Sequence, residues 1–447
     1  MKYKLITFVL TVFLLNACTT PASTPPSALP EATPAPSPTA ELQPTQPAPE
    51  ANTVTEISYM LWGSPEEAAI LQSVVEEFEK QNPSIKVKVE VSEWDVYWDK
   101  LKTLHASGTP PDVFAIDGPL YADWLSRGAF LNLQPFLDKE AETLTGIYPI
   151  VLESYKRADG YYALPRDIQT IALFYNKDLF DKAGVDYPTD TWTMDDFRTA
   201  AKKLSLDTDH DGTVDQWGFL TDFWDMELFW STAIWSHGGE LISADGSKTL
   251  LGEPKAREGW ALIETMMKED HSIPNTATLS ADEAFAKGKV AMTTSGHWVV
   301  PEYAELDFAW DVAPMPIGPA GRVTSVTSGG FVISKQTKNA EAAWKFVKYG
   351  ISEAAQKRMS ELGFAIPILE KVAQSPVYMQ QAVPINHRVF VDALEYAHPK
   401  PNFKGYEEWA TVIGDGMQPV WDGDKTVDET LKELLPLADE VLARNKE

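Results

Sequence analysis

The sequence predicts an α/β fold in which sheets are flanked by helices and ligands are received at strand ends. Three observations carry that expectation. Beyond residue 53, short runs of strand type are followed by capped segments of helical spacing, and the pairing recurs along the chain. About 390 residues follow that point, more than one core holds, so two or more packed units are expected. Aromatic residues and carboxylates stand where predicted strands stop, which is where open α/β sheets bind ligands.

Each element has its own warrant. Glu56 to Trp62 alternates into an apolar end. Ser64-Pro65-Glu66-Glu67 then supplies an N-cap, a proline at the first helical position and a capping-box glutamate. Ala68, Leu71, Val75 and Phe78 follow at helical spacing, and Asn82-Pro83 ends the helix. Ile85 to Val91 alternates as a second strand, and Asp112 to Asp117 is a short apolar third. Ile171 to Tyr175, Lys289 to Thr293 and Gly330 to Ile333 are further strands. Thr193-Met194-Asp195-Asp196 repeats the capping box, and Asn339 caps a helix with Ala343, Phe346 and Val347 on one face.

The amino-terminal region has a different character. Lys2 and Lys4 precede an apolar run, Leu5 to Leu15, of the length of a secretory leader and too short to span a bilayer. Leu15-Asn16-Ala17-Cys18 resembles the bacterial lipobox, which implies cleavage before Cys18 and its lipidation. Cys18 is the only cysteine among 447 residues, so one chain forms no disulfide and no cysteine metal cluster. Residues 19–53 hold ten prolines and no Lys, Arg or aromatic residue. Such a segment buries too little apolar surface to fold, and its span as a tether is on the order of 50–100 Å.

Composition narrows the partners. Asp and Glu number 65 against 38 Lys and Arg, which disfavours nucleic acid. Fifteen tryptophans are present, several in polar, glycine-containing surroundings, and an indole lies well against the C–H face of a sugar ring.

Several segments together resemble the extracellular solute-binding proteins of carbohydrate ABC importers, the group that includes maltose-binding protein. They are Leu61-Trp62-Gly63-Ser64, Phe78 to Pro83, Pro111 to Asp117, Leu164-Pro165 with Leu173 to Leu179, Phe285 to Met292 with Gly296-His297-Trp298, Ser328-Gly329-Gly330, and Ala342 to Phe346. The resemblance implies a two-lobed, Venus-flytrap architecture, each lobe a mixed sheet flanked by helices, with hinge crossings and a ligand cleft between. It implies a monomer that closes on a sugar, needs no cofactor, and presents the closed form to a membrane permease. The expected organisation is a signal peptide at 1–17, lipidated Cys18 and linker over 18–53, and a binding domain over 54–447. The first lobe is expected at about 54–165 and 310–330, the second at about 170–308 and 331–447.

A sugar site needs aromatic faces and planar hydrogen-bonding groups. Trp298, after a strand and matching the family's stacking tryptophan, leads the candidates with Trp62; Ser64 and Trp94 stand near the first two strand ends. Asp117 and Tyr121 follow the third strand, and Asp117 could instead cap a helix. Arg166, Asp167 and Gln169 occupy the expected first crossing, facing the cleft or bridging the hinge as an ion pair. Trp235, Gly296, His297 and Trp409 complete the set with Gly329 and Gly330, whose lack of side chain suits close approach of backbone to ligand or strand.

One motif is metal-like. Asp207, Asp209, Asp211, Thr213 and Asp215 fit the opening of an EF-hand-type calcium loop around Gly212, but Gly218 occupies the place of its closing glutamate. A loop closed by Asp215 or by a remote carboxylate for structural Ca2+ and a plain acidic turn both fit. Two other functions share this composition: an exported enzyme acting on glycosides through paired carboxylates, and a surface sugar sensor or adhesin. No nucleophile elbow, zinc motif, P-loop or dinucleotide fingerprint accompanies them.

Overall fold

The computed structural model describes residues 54–275 and 280–446. The expected leader, Cys18 and the linker lie outside them. In chain order the strands are β1 (Thr55–Trp62), β2 (Ile85–Ser92), β3 (Val113–Asp117), β4 (Lys156–Arg157), β5 (Gly160–Tyr161), β6 (Leu164–Pro165) and β7 (Gln169–Thr170). They continue as β8 (Ala172–Asn176), β9 (Trp217–Phe219), β10 (Val290–Ser295), β11 (Trp310–Ala313), β12 (Thr324–Thr327), β13 (Gly329–Ile333) and β14 (Ala397–Pro399).

Two sheets build two lobes. The first has the order β2-β1-β3-β13-β6, with β1 parallel to β2 and β3, and β13 antiparallel to β3 and β6. The second has the order β11-β8-β10-β9, with β8 antiparallel to both its neighbours. Helix α1 (Pro65–Gln81) starts on the capping box read from the sequence. The Ser64 hydroxyl accepts from the Glu67 amide at 3.2 Å, and the Glu67 carboxylate accepts from the Ser64 amide at 3.0 Å. Ile70, Leu71, Val74, Val75 and Phe78 form its buried face. In the second lobe Phe174, Phe219, Trp230 and Trp260 are fully enclosed, at about 1.5–3 kcal/mol of transfer free energy each.

Register shows which edges face each other. Trp62, Ser92 and Asp117 end parallel strands at one edge of the first sheet, where Gly330 pairs with Pro165. From Pro165 the chain crosses through β7 to Ala172, which pairs with Ser295 at the edge of the second sheet. It returns from Ala313 through β12 to Gly329, opposite Asp117. These edges therefore confront one another across a small third sheet, β14-β12-β7, built from the crossings.

The return lies between Ala313 and Gly329, which displaces the expected lobe boundaries. Trp310–Ala313, assigned to the first lobe from sequence, hydrogen-bonds with β8 in the second sheet. Residues beyond 330, assigned to the second lobe, continue β13 in the first sheet, and the helices Ala340–Gly350 and Glu353–Glu361 pack beside α1. Strand pairing, which sequence does not display, decides both memberships.

Candidate functional site

At the first sheet's edge lies an aromatic shelf. Trp62 ends β1, and its register partner Ser92 ends β2 just before α2 (Trp94–Ala106). The half-buried Trp62 ring meets Trp94 at 5.1 Å and Tyr97 at 5.4 Å, and stacks on Trp98 at 5.6 Å. Trp94 remains 37% exposed. The Arg166 guanidinium stands 5.4 Å from the Trp62 ring. Ser64 is engaged as the cap of α1. Burial pushes the Glu67 carboxyl beside it up to about 7, against the opposing pull of the Ser64 amide and Arg166.

The first crossing carries a buried ion pair. Arg166 Nε donates to Asp167 Oδ2 at 2.7 Å, and both side chains are almost fully enclosed. Asp167 Oδ1 accepts from the Gly329 amide at 2.8 Å, while the Arg166 amide donates to the Gly329 carbonyl at 2.7 Å. A Cβ at Gly329 would lie 2.7 Å from Arg166 Nη2, and one at Gly330 would lie 2.8 Å from the Tyr155 ring. Both glycines thus admit neighbouring side chains; the structure gives them packing roles. Gln169, in β7, is buried with its Oε1 unpartnered, as is Nη1 of Arg166.

A second charged group spans the lobes. Asp117 leaves the edge of the first sheet, and its Oδ1 accepts from Thr327 Oγ1 at 3.2 Å. It makes no side-chain cap to the turn that follows. Asp225 and Glu227 come from the segment after β9, and Lys400 from the residue after β14. Lys400 Nζ lies 3.2 Å from Glu227 Oε2, outside hydrogen-bond geometry, and 3.7 Å from Asp225 Oδ1. The Lys400 side chain is only 7% exposed. Burial raises the Asp117 carboxyl to about 6 and that of Glu227 to about 8, Lys400 pulling both down and Asp225 pushing both up.

From the second lobe, the half-buried Trp298 folds over Gly296, where a Cβ would lie 1.9 Å from its ring. Gly296 is therefore glycine because the indole occupies the side-chain space. Trp235 is buried, stacks on His398 at 4.1 Å and leaves its Nε1 without a partner. The helix Val300–Tyr303, after Trp298, packs against α1, so the lobes meet beside the shelf.

Three candidates belong to cores. His297 is fully enclosed among Tyr378, His387 and Phe390, and burial holds its pKa well below the ordinary range. Trp409 is fully buried, and its Nε1 donates to Thr249 Oγ1 at 3.0 Å. Tyr121 is fully buried; its hydroxyl donates to the Tyr155 carbonyl at 2.8 Å and the Arg157 guanidinium covers its ring at 4.4 Å. In each case the fold's interior took a side chain that local polarity placed outside. Glu67, Asp225, Glu227 and Lys400 escaped sequence reasoning. The carboxylates flanking Met226 beside Phe223-Trp224 were the only local signal.

Beside Lys400 lie a pocket of about 40 Å³, bordered by Gly118, Thr327 and Ser328, and a cavity of about 820 Å³. Ser126, Arg157, Asp245, Asn402 and Lys404 line the larger one, so both lobes and the crossing contribute.

The acidic loop stands apart on the surface before β9. Carboxylate oxygens of Asp207, Asp209 and Asp211 lie within 4.8 Å of one another. Asp215, expected to join them, instead accepts from the Thr208 amide and hydroxyl at 2.9 and 2.7 Å, which lowers its pKa. Thr213 contributes its amide to Asp211 Oδ1 at 2.8 Å. Gly212 adopts φ +94°, the left-handed turn the motif requires.

Comparison with known proteins follows the same geometry. A binding protein of Brucella abortus is 27% identical over 383 residues, covering 83% of this chain and 90% of that protein. The galactooligosaccharide-binding protein of Bacillus subtilis is 23% identical over 377 residues, 81% of this chain and 84% of its own. The solved ABC substrate-binding protein of Listeria monocytogenes in complex with cycloalternan superposes with a TM-score of 0.81 at 26% identity, covering 87% of this chain and 99% of that one. The family model of the bacterial extracellular solute-binding proteins matches residues 62–357, which carry the second sheet, the first sheet apart from most of β1, and the shelf, and the chain belongs to that family.

Proposed function

We propose that this chain captures a sugar between its lobes and delivers it to the permease of an ABC importer, held at the membrane by lipid on Cys18. The observation that carries the reading is the aromatic shelf of Trp62 and Trp94 at the strand ends where the two sheet edges confront one another, with Gln169 Oε1 of the crossing and Trp235 Nε1 of the second lobe buried without partners. Buried polar groups are normally hydrogen-bonded, and a polyhydroxylated ligand supplies donors and acceptors together. Trp62, Trp94 and Trp298 add apolar faces, and relatives named for galactooligosaccharide and cycloalternan support the class. The role is that of a monomeric binder, with no catalytic step and no required cofactor.

The test is thermal-shift and scattering measurement on the full chain with a panel of neutral sugars. A cognate sugar at a hundred times its Kd adds about 2.7 kcal/mol of stability and makes the protein more compact. No stabilisation by any member overturns the reading, and release of reducing ends would replace it with a hydrolase. Changing Cys18 to Ala is expected to abolish membrane association. The loop of Asp207, Asp209 and Asp211 we assign to a structural calcium ion; identical melting curves in chelator and in excess calcium would remove that assignment.

A further inference from the structure

The charged group around Lys400 gathers more carboxylates than its one ammonium can neutralise. It unites three parts of the chain: Asp117 from the first sheet, Asp225 and Glu227 from the second lobe, and Lys400 from the segment after β14. Within 4 Å of the ammonium stand two carboxylates, at 3.2 and 3.7 Å. Tyr406, at the start of the helix Tyr406–Trp421, faces the same group, and Asp167 of the crossing acts on Asp117 from its own side. Asp117 is a third carboxylate close by: its neighbour Gly118 and its partner Thr327 line a small pocket together with Lys400. Fully ionised, the set would enclose uncompensated negative charge, whose desolvation is costly.

We propose, resting on the sugar-capture reading above, that Lys400 positions the lobes in their closed arrangement and that closure takes up a proton between Asp117 and Glu227. When the lobes part, water reaches the carboxylates of Asp117 and Glu227 and both ionise. When they close, one carboxylate in excess of the lysine's charge is neutralised, and Glu227 is the foremost acceptor because it is the more deeply buried of the two carboxylates beside the ammonium. The elevated positions of Asp117 and Glu227 agree with this direction. A group that is harder to ionise in the closed form makes closure progressively less favourable as pH rises from its open-state pKa to its closed-state pKa. The affected window runs from the ordinary carboxylate range to about 8. Sugar is therefore held more tightly in mildly acidic than in alkaline surroundings. Lys400 acts here as a positioning residue: it holds the lobes and touches no reacting atom.

The experiment is calorimetric titration of the full chain with neutral sugars, maltotriose and galactotriose first among them, between pH 6 and 8.5, in buffers of differing ionisation enthalpy. The expected result is uptake of about one proton and a Kd that rises by up to about tenfold per pH unit below the upper pKa. Glu227→Gln is expected to flatten the profile while keeping binding at pH 6. Lys400→Met is expected to weaken binding at every pH, most at the alkaline end. A flat Kd with no proton uptake, or an unchanged slope in Glu227→Gln, overturns this inference alone. Binding of no sugar at any pH overturns the functional reading and this inference with it. Should Lys400→Met fail to fold, Lys400→Arg, which keeps the charge, reads the positioning role through its own pH profile.

Discussion

The aromatic shelf and the Lys400 cluster sit on opposite terms with the chain. Trp62 comes from the end of β1, and Trp94 and Trp98 from the helix that follows its parallel neighbour β2, so they meet within one lobe. The shelf exists whether the lobes are open or closed. Lys400, Asp117, Asp225 and Glu227 come from three separated segments, and on the proposal above they group only on closure. The first is suited to early contact with a sugar, the second to holding the closed state. A binding protein needs both, because a ligand shifts a hinge equilibrium only by as much as it prefers one form.

The comparison is broken most strongly at the crossing that joins the two regions. Asp167→Ala leaves Arg166 buried without its counter-charge and is expected to cost about 3–5 kcal/mol of stability, measured as the shift in a denaturant midpoint. A midpoint within error of the parent would mean that the pair is solvated and dispensable. Lys400→Met is expected to lower sugar affinity by about 2–5 kcal/mol, with the loss larger at pH 8 than at pH 6. Trp62→Ala and Trp298→Ala are each expected to weaken binding by about 1–3 kcal/mol at both pH values, since stacking carries no proton. Equal pH dependence in the Lys400 and Trp62 variants would erase the distinction between latch and shelf. Trp94→Ala, at an exposed rim, is expected to cost about 1 kcal/mol or less.

A pH series on the sugar-saturated chain sharpens the same contrast. Asp117 and Glu227 have folded-state pKa values raised above their unfolded values, so stability is greatest below the unfolded range. It falls as pH rises toward about 6 for Asp117 and about 8 for Glu227. Asp117→Asn is expected to remove the lower part of that decline in thermal melts between pH 4 and 6. Melting curves that rise over this interval in the parent chain, and remain so in the variant, would show that other carboxylates govern it.

Much of the frame was legible in the residues because its causes are local. The Ser64–Glu67 box, the alternation of β1 and β2 and the apolar run ending on Asp117 depend on neighbours a few positions apart, and the structure reproduces each within a residue or two. Trp62 at a strand end followed from the same logic. His297, Trp409 and Tyr121 did not, because polar neighbours in sequence carry no information about which side of a helix or turn the interior covers.

Sequence alone determined the α/β grammar, the helix starts, the order of family motifs and the strand ends at which a site could form. Tertiary structure decided the lobe to which Trp310–Ala313 belongs, the packing duty of Gly329 and Gly330, and the meeting of Asp225, Glu227 and Lys400 with Asp117. The physical reason is range. Capping, alternation and turn chemistry act over a few residues, whereas strand partners, buried charge and lobe contacts depend on segments tens to hundreds of positions apart, whose proximity no local pattern encodes.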